Sequence, residues 1–383
     1  MKILYVTGNS PWPPTIGSRM RSYSIVQMLA RQNEVTVALL HGAAREIALF
    51  EGDAQRLPGG HVVPAAPVSP WRHWRNATFE RYRPVLKSQA YGAYRDGLRV
   101  LVERERPDLL WFFRFDAVWN AGCDRYDAPV ICDVDDFEAK AHKRAIGLLP
   151  LVKRVAATID YPFLVRAQRA AAQTCDLLLV SNPEDVAEAA ATTGRPVRVA
   201  PNGYDYSTPP DYDRQRQRRI VFFGALNYKP NVDGLCWFVR DIWPKIREAI
   251  PDVRLDIAGA PGPAVQLLDQ EPGVHLCGFV ESIRSFVDSA ALLIVPLRMG
   301  GGTRIKIIEA WALGLPVVST TVGCEGLDAV NGETLIVADD SDCFSKACID
   351  LVRSPIVGLD MARRAFEFAR PRFDWPTLAP RLE

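Results

Sequence analysis

Short apolar runs alternate with amphipathic stretches along almost the whole chain, and this alternation constrains the fold more than any other feature. KILYVT opens the sequence, followed by the Pro/Gly loop NSPWPPTIGS, a helical pattern over about 19–31 and the apolar run VTVALL. Strand, loop, helix and strand in that order form a βαβ unit, whose strands must be parallel. The runs DLLWFF (108–113), PVICDV (129–134), DLLLVS (176–181) and PVRVAP (196–201) continue the pattern, with an Ala/Arg-rich helical stretch at 151–174.

The grammar then restarts. Residues 201–217, PNGYDYSTPPDYDRQRQ, are polar, charged and Pro-rich, which is linker composition. RIVFFG (219–224) reads as a new first strand. It is followed by a helix over about 232–249, VRLDIAG (253–259), VHLCG (274–278), a short helix over about 281–289, LLIVP (292–296), a helix over about 304–313, PVVST (316–320) and TLIVAD (334–339). An α/β protein of two Rossmann-like, doubly wound domains facing a cleft is expected. The 383 residues suit that division. The expected domains are 1–200 and 201–370, with a tail, 371–383, whose helix starts after Pro371 and packs back on the first domain.

Composition removes several function classes. With 46 basic and 45 acidic side chains, no basic excess exists to neutralise nucleic-acid phosphates. The apolar run near the N-terminus, Ile3 to Thr7, is short beside the ~7–15 residues of a signal peptide or the ~20 of a membrane span. A cytoplasmic protein is expected, with association at the inner membrane face as an added expectation. The eight cysteines are scattered without a C-x-x-C pair, and the five histidines do not cluster with them. Buried free thiols are therefore expected, and no metal site.

Phosphate chemistry concentrates in IVPLRMGGGTRIKIIEAWALGLPVVST. A strand ends at Pro296, then Gly300, Gly301 and Gly302 precede a helix beginning near Thr303 or Arg304. Glycines at the carboxyl end of a parallel strand let backbone approach a ligand, and the N–H groups of the helix start favour an anion. Arg304 and Lys306 add two cations where they oppose the helix dipole unless an anion is bound. The alternative is an open loop with both cations in water. Glu309, three residues beyond Lys306 among apolar neighbours, suits acceptance of ribose or sugar hydroxyls; the alternative is an intrahelical ion pair with Lys306. Neither a complete G-x-G-x-x-G fingerprint nor a G-x-x-x-x-G-K-[ST] loop is present.

GGGTRIKIIEAWALGLPVVSTTVGCEGL resembles the donor-site region of GT-B glycosyltransferases of the retaining family-4 type. APNGYD (200–205), FFGALNYKPNVDGLCWF (222–238) and the opening Pro/Gly loop are similar as well. The resemblance is strongest over 200–327 and points to a bacterial branch of exopolysaccharide and surface-glycan enzymes. It implies a nucleotide-diphosphate-sugar donor, UDP- or GDP-linked, held mainly by the C-terminal domain. It also implies a glycan, polyprenyl-linked or small-molecule acceptor, and no obligatory cofactor or metal. Glu309 matches the second Glu of the E-x(7)-E motif, which holds the donor ribose. Gly17 falls in the loop facing the donor phosphates, and Gly278-Phe279-Val280 where backbone meets the nucleobase. Gly224, Asn227, Lys229 and Thr303 join the three loop glycines and Val280 in the implied donor-binding set. Two departures stand out. Gly301 occupies the place of the first Glu, and Ala225 follows Gly224 where the basic pair would begin. Arg304 and Lys306 are therefore expected to carry the diphosphate charge. A nucleotide-sugar epimerase of the same fold and a catalytically silent donor-binding subunit are the alternatives.

Asp133-Val134-Asp135-Asp136 ends a strand with the D-x-D pattern of metal-dependent GT-A enzymes. The second βα array argues against that fold, so Asp135 and Asp136 are expected to contact acceptor or donor sugar; capping of the following helix is the alternative. His142 is a weaker cleft candidate, better suited to a surface helix. Residues 71–87 mix Trp71, Trp74, Phe79 and Tyr82 with Arg72, Arg75, Arg81, Arg83 and Lys87, which suits an anionic membrane surface or an ordinary packed loop and helix.

Overall fold

The computed structural model describes residues 1–14, 17–52, 59–65, 92–260 and 262–381. The chain divides into two compact units, Met1–Pro201 and Asn202–Pro380.

Among the described residues the first unit holds strands β1 (Lys2–Thr7), β2 (Glu34–Leu39), β3 (Gly60–Val62), β4 (Leu109–Phe113), β5 (Val130–Asp135), β6 (Leu177–Val180) and β7 (Val197–Val199). They form one sheet in the order β3-β2-β1-β4-β5-β6-β7. All pairings are parallel, with Tyr5 opposite Val37 on one side and Trp111 on the other. The central strands are mainly apolar, as expected of a parallel sheet with helices on its faces, and so appear as near-continuous hydrophobic runs. Helix α1 (Gly17–Leu29) follows β1, and helices α2 (Glu138–Gly147) and α3 (Leu151–Ala172) lie between β5 and β6.

The second unit repeats the design with β8 (Arg219–Phe223), β9 (Arg254–Ala258), β10 (Val274–Gly278), β11 (Leu292–Val295), β12 (Val317–Ser319) and β13 (Ile336–Val337). Their order is β10-β9-β8-β11-β12-β13, all parallel. Winding reverses between β8 and β11, and a ligand crevice opens at the carboxyl ends of the strands flanking such a reversal. Gly224 directly follows β8, and the loop after β11 carries Gly300–Gly302 into helix α5 (Ile305–Ala312). Helix α4 (Lys229–Trp237) follows β8 and continues through a π-helical stretch, Phe238–Ile242, into Trp243–Ala249.

Helix α6 (Pro355–Phe373) runs through Pro371, and a separate short helix, Trp375–Leu378, follows it in the tail. One expectation needs correction. The thiols are not mainly buried: Cys132, Cys175 and Cys348 are, whereas Cys277 and Cys343 are exposed.

Candidate functional site

The loop between β11 and α5 is built around two glycine conformations. Gly300 has φ +122° and Gly302 φ +65°, backbone that a side chain disfavours. A Cβ on Gly300 would lie 2.5 Å from Arg304 Nη2. The loop therefore folds tightly over the Arg304 guanidinium, which is 8% exposed. Its Nη1 donates to the Gly301 carbonyl, whereas Nε and Nη2 have no hydrogen-bond partner. A buried cation with unmatched donors costs free energy, and an anion in the loop would relieve it. Arg304 is also the N-cap of α5, and no side-chain cap is present there.

Lys306 points toward the end of β8. Its Nζ donates to Asn231 Oδ1 at 3.0 Å and lies 4.0 Å from the Phe222 ring centroid. Asn231 is held in turn by its Nδ2 donating to Ala225 O at 2.9 Å. Gly224, at φ +147°, leaves the room for this, since a Cβ there would sit 3.1 Å from Lys306 Nζ. Burial first, then the neighbouring Arg304, push the Lys306 ammonium down to about 7. The structure thus brings Gly224, Lys306, Arg304 and the glycine loop to one place. Asn227, just before α4, and Lys229, its first residue, are exposed.

Glu309 lies about one turn along α5 and is 6% exposed. No ion pair joins it to Lys306 among the described residues. Instead Tyr204 Oη donates to Glu309 Oε1 at 3.1 Å. Burial raises the Glu309 carboxyl to about 7, while the Tyr204 hydrogen bond and Lys306 pull in the other direction. A raised folded-state pKa means that the ionised form is disfavoured by folding above about pH 7, and that this cost fades as pH falls toward the ordinary value of 4.5. Glu309→Gln is therefore expected to raise the melting temperature by several degrees at pH 8.5, from a gain of about 1–3 kcal/mol. The gain should shrink steadily toward pH 4.5. A pH-independent shift in calorimetry would contradict this assignment.

Three residues of this site were not singled out from sequence: Asn202, Tyr204 and Asn231. Asn202 Nδ2 donates to Thr303 Oγ1 at 2.9 Å, and Tyr206 Oη to Ile308 O at 2.8 Å. The segment APNGYDY therefore clamps the start of α5 rather than serving as a plain linker. The signal available was its run of hydrogen-bonding aromatics among linker residues. Gly278 has φ +67°, Phe279 is 64% exposed, and Val280 packs on the apolar cluster of the second unit.

In the first unit, Gly17 opens α1. Asp133 is wholly buried at the end of β5 and takes a two-point contact from Arg21, Nε to Oδ2 at 3.0 Å and Nη2 to Oδ1 at 2.8 Å. Asp133 is thus an internal counterion, which answers the D-x-D reading. Among the described residues no cluster of His, Cys, Asp and Glu is placed to hold a metal. Asp135 has φ +61°, its carboxylate is partly exposed, and Oδ1 lies 3.7 Å from Arg21 Nε. Neither Asp135 nor Asp136 caps α2, whose N-cap is Phe137 without a side-chain cap. His142 is structural: its Nε2 contacts Ala157 O at 3.2 Å and its ring stacks on Tyr161. The aromatic–basic stretch 71–87 lies outside the described residues.

The chain has counterparts of known family and fold. Residues 217–354 match the family described as glycosyl transferases group 1. A Klebsiella pneumoniae protein, described as an uncharacterised 44.6 kDa protein in the cps region, is 27% identical over 164 residues. That alignment covers 40% of this chain and 42% of the relative, so the chain matches less than half of that protein's length. Similar solved structures include sucrose-phosphate synthase from Thermosynechococcus elongatus, with TM-score 0.70, 14% identity and coverage of 100% and 96%. Anabaena HepE in complex with UDP-glucose gives TM-score 0.69, 16% identity and coverage of 100% and 98%. WaaG, a glycosyltransferase involved in lipopolysaccharide biosynthesis, gives 0.64, 15%, and 100% and 98%. The fold is GT-B.

Proposed function

We propose that this protein is a retaining, metal-independent glycosyltransferase that moves a sugar from a nucleotide-diphosphate-sugar to an acceptor hydroxyl. The carrying observation is the buried Arg304 guanidinium, with two nitrogens unmatched inside a glycine loop at the reversal point of the second sheet. The match of residues 217–354 supports the same chemistry.

In this reading the donor diphosphate sits on Arg304 and the α5 amino end. As the glycosidic bond breaks, negative charge grows on phosphate oxygens, and fixed cations stabilise it without reorganising. Lys306, poised near neutrality, gains its proton as the dianion arrives. Glu309 accepts ribose hydroxyls, the role of the second carboxylate in the E-x(7)-E pattern. With Gly301 in place of the first, donor-sugar recognition shifts to other groups, and Asp135 is the candidate for sugar or acceptor contact. The leaving diphosphate takes the acceptor proton, so no side-chain nucleophile is required. The uridine donor is favoured because the Anabaena neighbour holds UDP-glucose. The cps-region relative supports a role in polysaccharide biosynthesis, and a polysaccharide or polyprenyl-linked acceptor at the cytoplasmic face is part of this proposal.

The test is a thermal-shift panel of UDP, GDP, ADP, CMP and TDP with and without EDTA. One diphosphate at 100 times its dissociation constant should stabilise by about 2.7 kcal/mol. EDTA should leave that gain intact. A gain that needs metal would remove metal independence, and silence toward every nucleotide would remove the donor site.

A further inference from the structure

Helix α3 begins in water. Leu148, Leu151, Val152, Val155 and Ile159 are 42%, 74%, 83%, 54% and 53% exposed. At ~100° per residue the four on α3 fall within an arc of roughly 100°, so they form one apolar stripe. Large aliphatic side chains scattered singly on a surface need no explanation, but a contiguous exposed stripe does. The stripe is part of a stiff element: His142 on α2 ties α3 at Ala157 O, and Arg154 Nη2 donates to Gly147 O at 3.1 Å across the turn between the helices.

Charge around the stripe is mainly positive. Residues 138–160 contain Lys140, Lys143, Arg144, Lys153 and Arg154 against two acids, Asp160 and Glu138, the latter paired with Arg114. Lys140 is consumed by Asp185 at 2.6 Å. Lys153 and Arg154 leave α3 on opposite sides of the apolar arc, and Lys143 is exposed on α2. Aliphatics flanked by an excess of cations match the chemistry of an anionic bilayer surface. A protein interface would instead be enriched in aromatics and poor in lysine, and a second copy would set like charges against each other. Among the described residues no helix is long and apolar enough to cross a membrane, so the contact is superficial.

We propose that the α2–α3 turn and the first turns of α3 seat on the surface of an anionic lipid bilayer, with the Leu151–Ile159 stripe in the acyl boundary and Lys153 and Arg154 on the headgroups. This goes beyond glycosyl transfer and holds whether or not that reading does.

Co-sedimentation of the full chain with phosphatidylcholine vesicles, with and without phosphatidylglycerol, tests it. Binding should require phosphatidylglycerol and weaken in high salt. Leu151→Asp/Val155→Asp should cut it tenfold or more. Lys153→Glu/Arg154→Glu should cut it by about 25-fold, at roughly fivefold per basic residue. Leu151→Asp/Val155→Asp should melt as the wild type does, because both side chains are solvent-exposed. Binding that survives Leu151→Asp/Val155→Asp would overturn the proposal, as would no binding by the wild type. A wild-type dimer that this variant splits, without vesicle binding, would assign the stripe to self-association instead and equally overturn it.

Discussion

Arg304→Ala is expected to abolish stabilisation by nucleoside diphosphate and to lower kcat/KM by about 100- to 1000-fold, the usual cost of removing one preorganised donor from a developing anion. The expectation rests on three facts that act together. The guanidinium is 8% exposed, so its field is poorly screened by water. Two of its nitrogens have no partner in the unliganded protein, so they are free to bind without breaking existing bonds. Gly300 and Gly302 hold backbone conformations that wrap the loop around it. The same facts set a control. Removing a buried, unmatched cation should leave the unliganded melting temperature unchanged or raise it, since function rather than stability keeps the charge there. Arg304→Lys should not restore binding, because an ammonium lacks the planar fork that fills this loop. Loss of the diphosphate response with a lowered unliganded melting temperature would point to a structural role and refute the assignment. An intact response would place the anion elsewhere.

The layered architecture was legible because burial on both faces makes parallel strands continuous apolar runs, and turn residues punctuate them at regular intervals. The glycine loop was legible for a local reason too, since conformation and charge sit within seven residues, 300–306. What escaped was set by contacts distant in sequence. Tyr204 reaches Glu309 across 105 positions, Lys306 reaches Asn231 across 75, and Arg21 reaches Asp133 across 112. Local pattern names the polar residues in each case but not which will be neutralised internally. Asp133 and Asp135 illustrate the limit: two residues apart on one strand, they would share a face by period, but the register shifts between them and Asp135 has φ +61°, so only Asp133 meets Arg21 at two points. Periodicity likewise shows that Leu151, Val155 and Ile159 share a helix face, but not that the face is exposed.

The second large effect concerns that counterion pair. Arg21 and Asp133 side chains are both 0% exposed. Arg21→Ala would leave a carboxylate in the core of the first unit, and breaking a buried pair from one side costs about 3–5 kcal/mol. At roughly 2–4 °C per kcal/mol for a unit of this size, the melting temperature should fall by about 6–20 °C. Desolvation offsets much of the attraction in such a pair, so Arg21→Met/Asp133→Leu should recover most of the loss. Calorimetry separates this from effects on donor binding. The chain has two compact units, each with hydrophobic core of its own, so unfolding need not be a single transition. Arg21→Ala should lower the transition that ignores nucleotide and leave in place the one that nucleoside diphosphate raises. The double variant then asks what the pair does besides fold the unit. Asp135, 3.7 Å from Arg21 at a strained φ of +61°, would lose its cationic neighbour while the core stays packed. If Asp135 contacts sugar or acceptor, the double variant should melt near the wild type, bind diphosphate normally and turn over slowly. Full turnover in that variant would confine the Arg21–Asp133–Asp135 group to folding and remove Asp135 from the site.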